Sequence, residues 1–224
     1  MKAKFDPKLE FPKLFIAIGK IEKPYKIKLK EIAKPYATMV PRRVPIPLRD
    51  ALQKKLDEMI TQEIIEPVDE ASECCAPMVI VRKKQGDTRI CVDLSELNKN
   101  IQRETYPMAS VGYIIREYNN AKIFSIIDAN SGFWQIMLRP QSSALTTFIT
   151  PFGRFKFKRL PFGISSAPEV FQKRIRECLK GLNGVVGLMH EFAVYGEARK
   201  EHDERLYQVL QRFWKDSKCG KMSV

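Results

Sequence analysis

At 224 residues, with 44% hydrophobic and 10% aromatic content, the chain has the length and composition of a globular protein of one large domain or two small ones. Its 39 Lys and Arg against 26 Asp and Glu leave a net charge of +13, which points to a polyanionic partner, nucleic acid or an acidic membrane surface, against the plainer reading of an ordinary basic surface. Cys74, Cys75, Cys91, Cys178 and Cys219 are odd in number and lack paired CxxC spacing, which argues against a zinc site or a disulfide framework and for free thiols in a reducing compartment. The apolar patch at 14–19 is bracketed by Lys13 and Lys20 and is too short for a secretory core or a membrane span. These features predict an intracellular protein, cytoplasmic or nuclear and not secreted, with no membrane partner.

Residues 1–47 carry Pro7, Pro12, Pro24, Pro35, Pro41, Pro45 and Pro47 among many lysines, which predicts an extended lead-in with one short strand at 25–29 and no core of its own. A helix follows over 48–62, where Leu48, Leu52, Leu56, Met59 and Ile60 share a face and Pro67 closes the segment. The period then changes to two. Strands at 78–82 and 88–94 flank Gln85-Gly86-Asp87, a hairpin with lysines and an arginine at its tip. A short helix is predicted at 110–118, then a strand at 122–128 that is apolar almost throughout and ends on Asp128, the pattern of a buried central strand. Segments 145–150 and 154–159 flank the turn Pro151-Phe152-Gly153 as a second hairpin. Ser166 then reads as the N-cap of a helix reaching about residue 180, with Glu169 in its first turn. Strands at 184–189 and 192–195 meet at His190-Glu191. The last helix covers 198–214, with His202, Leu206, Val209, Leu210 and Phe213 on its apolar face. The class is α+β, with strands in hairpins and helices packed on one face.

Three blocks carry chemistry. Phe124-Ser125-Ile126-Ile127-Asp128-Ala129-Asn130-Ser131-Gly132-Phe133-Trp134-Gln135-Ile136 sets a carboxylate at the end of a buried strand, which is costly unless it holds a metal or meets a partner. The others are Leu160-Pro161-Phe162-Gly163-Ile164-Ser165-Ser166-Ala167-Pro168-Glu169-Val170-Phe171-Gln172 and Arg89-Ile90-Cys91-Val92-Asp93-Leu94-Ser95-Glu96-Leu97-Asn98-Lys99. In their order along the chain they resemble the motifs of reverse transcriptases, those of Gypsy-class long-terminal-repeat retrotransposons most closely, over residues 11–210 including the lead-in Pro41-Arg42-Arg43-Val44-Pro45-Ile46-Pro47-Leu48.

The resemblance implies an α+β, right-hand polymerase fold of fingers and palm subdomains with an antiparallel palm sheet, the thumb being absent. It places the lead-in at 1–47, fingers with part of the palm at 48–121 and palm at 122–224. It implies RNA-directed DNA polymerase activity on an RNA or DNA template-primer with deoxynucleoside triphosphates, supported by Mg2+, with Mn2+ as the alternative. Two cations serve such a reaction, and hard cations want oxygen ligands, so these sites are built from aspartates. By resemblance Asp128 is a metal ligand, Phe133 crowds the sugar 2′ position, and Lys84 (or Lys83) and Arg89 meet the triphosphate. Phe162 and Gly163 lie against the nucleotide and template. The plainer readings stand beside these: Phe133 as core, Lys83, Lys84 and Arg89 as a solvated hairpin tip, Asp128 as a structural aspartate. Asp93 and Glu96 read as caps of the segment after their strand.

The pattern breaks at one place. About sixty residues after the first aspartate the family carries an adjacent aspartate pair; here the catalytic and metal positions are filled by His190 and Glu191. A neutral imidazole suits zinc, manganese or iron better than magnesium, and a protonated one repels metal. Glu191 keeps its charge but its extra methylene moves the oxygens by roughly 1.5 Å, and a misplacement of about 1 Å can cost on the order of 100-fold. The expectation is a polymerase fold whose magnesium-dependent synthesis is lowered by about three decades or more. A remodelled manganese site of Asp128, His190 and Glu191 is the sharper alternative. A nucleic-acid-binding module without catalysis is the competing class, and a translated relic that folds poorly is the third.

Overall fold

The computed structural model describes residues 5–16, 18–82, 88–107, 111–118, 120–129, 131–188, 191–215 and 222–223. The chain begins with two short helices, α1 (Pro7–Glu10) and α2 (Lys13–Ile16), then β1 (Ile21–Tyr25) and the long helix α3 (Ile46–Thr61). Strands β2 (Ile65–Pro67), β3 (Ala76–Arg82) and β4 (Thr88–Val92) precede α4 (Ser95–Asn100) and α5 (Val111–Glu117). Next come β5 (Ile123–Ala129), a 3-10 turn (Gly132–Gln135), β6 (Ile136–Leu138), α6 (Pro140–Ala144), β7 (Phe148–Thr150) and β8 (Gly153–Phe157). The chain closes with α7 (Ala167–Leu179), β9 (Val185–Leu188), β10 (Glu191–Gly196), α8 (Arg199–Lys215) and β11 (Met222–Ser223). Among the described residues no helix is long and apolar enough to cross a membrane.

The contacts gather the chain into two compact units, each assembled from separate stretches of sequence. Unit 1 comprises Met1–Glu22, Glu104–Gln135 and Pro168–Val224; unit 2 comprises Lys23–Arg103 and Ile136–Ala167.

Unit 1 is built on an antiparallel sheet of order β11-β5-β10-β9. Strand residues alternate sides, so Ile127, Phe192 and Val194, all fully buried, point to one face. Helix α8 covers that face. Its Leu206, Val209, Leu210 and Phe213 recur at helical spacing and are buried, with the Phe213 ring 6.1 Å from that of Phe192. The approach is close at Gly196, where a Cβ would stand 2.9 Å from the His202 backbone nitrogen. On the other face, Phe124 is 45% and Ile126 52% exposed. The apolar run of β5 therefore does not mark a strand buried on both sides. Burial of a strand depends on what covers each face, and the run of residue types alone does not reveal that.

The N-terminal segment also departs from its reading. Prolines at helix starts are compatible with a first turn, and Asp6 caps α1 by accepting from the Lys8 N–H at 2.9 Å. Phe11 and Leu14 are buried, and Phe11 stacks on Tyr207 and Trp214 of α8 with centroids 5.4 and 5.8 Å apart. The first strand lies at Ile21–Tyr25, earlier than the predicted 25–29. Beyond it Leu29 makes only an isolated bridge to Ile101.

Unit 2 holds a five-stranded sheet of order β2-β8-β7-β3-β4. The two predicted hairpins are present as β3–β4 and β7–β8, but they are joined by a parallel pairing, Ala76 opposite Phe148, so the sheet is mixed. Phe148 is fully buried and lies against Phe155 and Phe157 at 5.9 and 5.2 Å. Helix α3 buries Leu52, Leu56 and Met59 as its spacing predicts, while Ile60 stays 37% exposed.

Candidate active site

In unit 1, β5 and β10 run antiparallel with Glu191 opposite Asp128, Ala193 opposite Ile126 and Tyr195 opposite Phe124. Facing residues on a ladder share a side of the sheet, so the two carboxylates occupy one rung. Asp128 is half-buried and Glu191 exposed. Oδ1 of Asp128 is buried and meets no hydrogen-bond donor among the described residues. A buried carboxylate oxygen without a donor is unfavourable by itself and is relieved by a cation. The donor set, two carboxylates on neighbouring strands, suits a hard divalent ion that keeps its remaining positions for phosphate and water. Among the described residues no group of three or more His, Cys, Asp or Glu is gathered closely enough to hold a metal. His190 lies outside the described residues, as do Lys83 and Lys84.

A glycine and an aromatic shape the turn after β5. Phe133 stands in the 3-10 turn with its ring edge-on to Phe171 at 5.8 Å, half-buried, so the same side chain packs in the unit and presents a face. Gly132 beside it is required by space: a Cβ there would meet the Phe171 ring at 2.7 Å. Gln172, on the same helix as Phe171, donates from Nε2 to Gly187 O at 3.0 Å and so ties α7 to β9.

A polar chain on the covered face of the sheet was not legible in the sequence. His202, 3% exposed, reads there as an apolar-face residue, yet its Nδ1 is 2.9 Å from Asp203 Oδ1 and its Nε2 3.0 Å from Ser125 Oγ. A carboxylate only accepts, so Nδ1 carries the proton, and in the neutral ring Nε2 accepts from the Ser125 hydroxyl. Arg199 Nε donates to the other Asp203 oxygen at 3.0 Å. Burial pushes the Asp203 carboxyl upward, but the hydrogen bonds from His202 and Arg199 outweigh it and hold the group below its ordinary value. Ser125 lies three residues before Asp128 on the same strand, so this chain anchors the strand that carries the aspartate.

In unit 2, Arg89 on β4 and Phe162 on the segment after β8 come together: the guanidinium carbon lies 5.5 Å from the ring centroid. Arg89 is exposed and Phe162 38% exposed, so the pair faces solvent. Gly163 has φ +96, a conformation disfavoured for other residues, although a Cβ would meet nothing nearer than 3.8 Å. Asp93 accepts from the Ser95 N–H at 3.2 Å and from Arg42 at 3.1 Å, which matches its reading as a cap, with its carboxyl held low chiefly by Ser95. Glu96 pairs with Lys99 at 2.7 Å. Ser166, read as an N-cap, has its hydroxyl 3.2 Å from the Tyr25 hydroxyl.

The fold, an antiparallel sheet in one unit and a mixed sheet in the other, is that of the fingers and palm of a right-hand polymerase. Its structure superposes on the prototype foamy virus protease–reverse transcriptase with a TM-score of 0.83 at 21% identity, covering 93% of this chain and 28% of that one. The foamy viral protease–reverse transcriptase in complex with RNA/DNA hybrid matches with a TM-score of 0.79 at 18% identity, over 94% of this chain and 28% of that one. In sequence, the reverse transcriptase (RNA-dependent DNA polymerase) family model matches residues 81–219. The chain belongs to that family. It is 32% identical over 173 residues to the retrovirus-related Pol polyprotein from transposon opus of Drosophila melanogaster, covering 74% of this chain and 17% of the polyprotein. The Pol polyprotein from transposon 412 of the same organism is 31% identical over 169 residues, covering 72% of this chain and 14% of the polyprotein. The enzymatic polyprotein of cauliflower mosaic virus (strain Strasbourg) is 27% identical over 169 residues, covering 73% of this chain and 25% of the polyprotein. The chain therefore spans a quarter or less of the length of these relatives.

Proposed function

We propose that this chain is the fingers-and-palm portion of a reverse transcriptase of Gypsy-class retrotransposon origin, unit 2 being the fingers and unit 1 the palm, with magnesium-dependent nucleotidyl transfer impaired at the second carboxylate position. The observation that carries the reading is the Asp128–Glu191 rung, with one Asp128 oxygen buried and lacking a donor. When bound, Mg2+ would stabilise charge on the transferring phosphate and favour ionisation of the primer 3′-hydroxyl. Asp128 supplies a short, strand-held carboxylate for it. Glu191 supplies the same chemistry on a longer stem, so its oxygens are less firmly placed, and His190 offers a nitrogen where a hard ion prefers oxygen.

The remaining residues bind and orient. Arg89 presents a guanidinium suited to a triphosphate, and Phe162 offers a flat apolar face beside it. Gly163 leaves room for a close backbone approach by nucleotide or template. Phe133, half-exposed, is placed to crowd a sugar 2′ position. The partners are an RNA or DNA template-primer and deoxynucleoside triphosphates, and the compartment is intracellular, consistent with the free thiols.

Primer extension on an RNA template, with magnesium and separately with manganese, tests the reading. A variant carrying His190→Asp and Glu191→Asp is expected to extend primers on the order of 1,000-fold faster than the parent with magnesium. Adding Asp128→Asn to that variant is expected to silence it. Equal rates for parent and restored variant would overturn the impairment. A second reading, a nucleic-acid-binding module without catalysis, is favoured by the +13 charge. It predicts hybrid binding that weakens steeply with salt, and weak, salt-insensitive binding would end it.

A further inference from the structure

Asn98 closes on the segment that carries Phe162 and Gly163. Its Nδ2 donates to the Gly163 carbonyl at 2.7 Å, and its Oδ1 accepts from the Ser165 N–H at 2.8 Å. One planar amide thus brackets Ile164, whose side chain is 3% exposed. The amide has one orientation only, because a carbonyl must meet its N–H donors and an N–H its oxygen. Asn98 is held in turn by its own helix. Its backbone N–H donates to Leu94 O at 2.9 Å, and Leu94 is buried at the junction of β4 and α4. Asp93 secures the same junction, donating from its N–H to Pro77 O of β3 at 2.9 Å and accepting from Ser95.

Arg89 stands on β4 and Phe162 on the bracketed segment, 5.5 Å apart. A cation–aromatic pair at an exposed site is worth only about 0.5–1 kcal/mol, too little to order two separate segments. The rigid connection between them runs instead from β4 through Leu94 to the Asn98 amide. Gly163 adds the need for such a fastener, since its φ of +96 is reachable by glycine but not fixed by it.

We propose that Asn98 is a positioning residue for nucleotide and template: it sets the separation of Arg89 from Phe162 and the backbone course of Gly163. This rests on the reading above, that those three residues face the nucleotide. Asn100 provides an internal control. Two residues along the same helix, its amide makes the same kind of bracket on a different segment, donating to Lys34 O at 3.1 Å and accepting from the Lys34 N–H at 3.2 Å.

The test measures binding of deoxyguanosine triphosphate, with Mg2+, to the full chain on a primer-template whose next template base is cytosine, for the parent and for Asn98→Ala, Asn98→Asp, Asn100→Ala and Arg89→Ala. Asn98→Ala removes both bonds, and Asn98→Asp keeps the acceptor but sets a carboxylate oxygen against the Gly163 carbonyl. Both are expected to bind nucleotide about tenfold more weakly, as Arg89→Ala does, and to speed exchange of the Ser165 amide hydrogen. Asn100→Ala is expected to bind like the parent. Parent-like binding by Asn98→Ala despite fast Ser165 exchange would overturn the proposal. So would equal losses in the Asn98 and Asn100 variants, which would mark a general structural effect. If the parent or Arg89→Ala shows that nucleotide binding does not use this site, the reading of the site fails. Contact between the Phe162 ring protons and the Arg89 side chain, observed by NMR, then decides: loss in Asn98→Ala supports the positioning role and retention refutes it.

Discussion

Unit 2 surrounds its candidate residues with satisfied polar groups, whereas unit 1 leaves an oxygen of its candidate aspartate open. Around Phe162 and Gly163 the amide of Asn98 meets both its partners, and Asp93 is bonded to Ser95 and Arg42. Around Asp128 the strand is anchored by the chain from Ser125 through His202 and Asp203 to Arg199, yet Asp128 Oδ1 itself has no donor among the described residues. A binding surface can be preorganised by the protein's own hydrogen bonds. A metal-binding carboxylate must keep an oxygen free of them, and that costs stability when the ion is not bound. The two units therefore differ in how they treat their candidate residues, and the proposed metal-binding carboxylate lies in unit 1.

The largest stability effects should separate the two units. Phe213→Ala empties part of the core under β10 and Phe148→Ala part of the core of unit 2; each is expected to cost about 3–5 kcal/mol. Both tryptophans, Trp134 and Trp214, belong to unit 1. Denaturant unfolding followed by tryptophan fluorescence should thus shift for Phe213→Ala. Buried Cys75 reports unit 2 and buried Cys178 unit 1 through their labelling by a thiol reagent. If Phe148→Ala accelerates labelling of both thiols equally, the units unfold as one and the comparison collapses.

Smaller effects should distinguish the two glycines. Gly132→Ala forces a Cβ into the Phe171 ring and is expected to destabilise by about 1–3 kcal/mol through overpacking. Gly163→Ala meets no obstruction but must hold φ at +96, with an expected cost of about 1–3 kcal/mol from backbone strain. Only the second should also weaken nucleotide binding. Equal binding losses for both would argue that the glycines act through general stability.

The smallest effect is at acid pH. Asp203 has its carboxyl held below the ordinary value when folded, so it contributes stability above the unfolded pKa of about 3.9, and this is lost as pH falls through the folded value. Asp203→Asn should cost about 1 kcal/mol at neutral pH and flatten the decline in stability below about pH 4. An unchanged acid limb in the melting temperature would show that the bonds to His202 and Arg199 contribute nothing.

Much of this was readable from residue order. Helical spacing located Leu52, Leu56 and Met59 on the buried face of α3, and Leu206, Val209, Leu210 and Phe213 on that of α8. Turn chemistry at Pro151-Phe152-Gly153 located a hairpin, and the ordered motifs identified the fold. Such signals are local, because a helix or strand of this length declares its period within a few residues.

What tertiary structure alone decided are relations between distant residues. The parallel pairing of Ala76 with Phe148 merges two predicted hairpins into one sheet, and nothing in either segment encodes it. Phe11, between the two short N-terminal helices, is buried against Tyr207 and Trp214 at the other end of the chain. The exposure of Phe124 and Ile126 depends on what covers that face of the sheet and not on their type. Asn98 and His202 look unremarkable in sequence because Gly163 and Ser165, and Ser125, which they meet, lie more than sixty residues away. By itself the sequence determined which residue types were available for chemistry, including Asp128, His190 and Glu191. Only the fold decided which hydrogen bonds those residues spend on the protein and which oxygen is left over, since a hydrogen bond is a matter of distance and direction that composition cannot express.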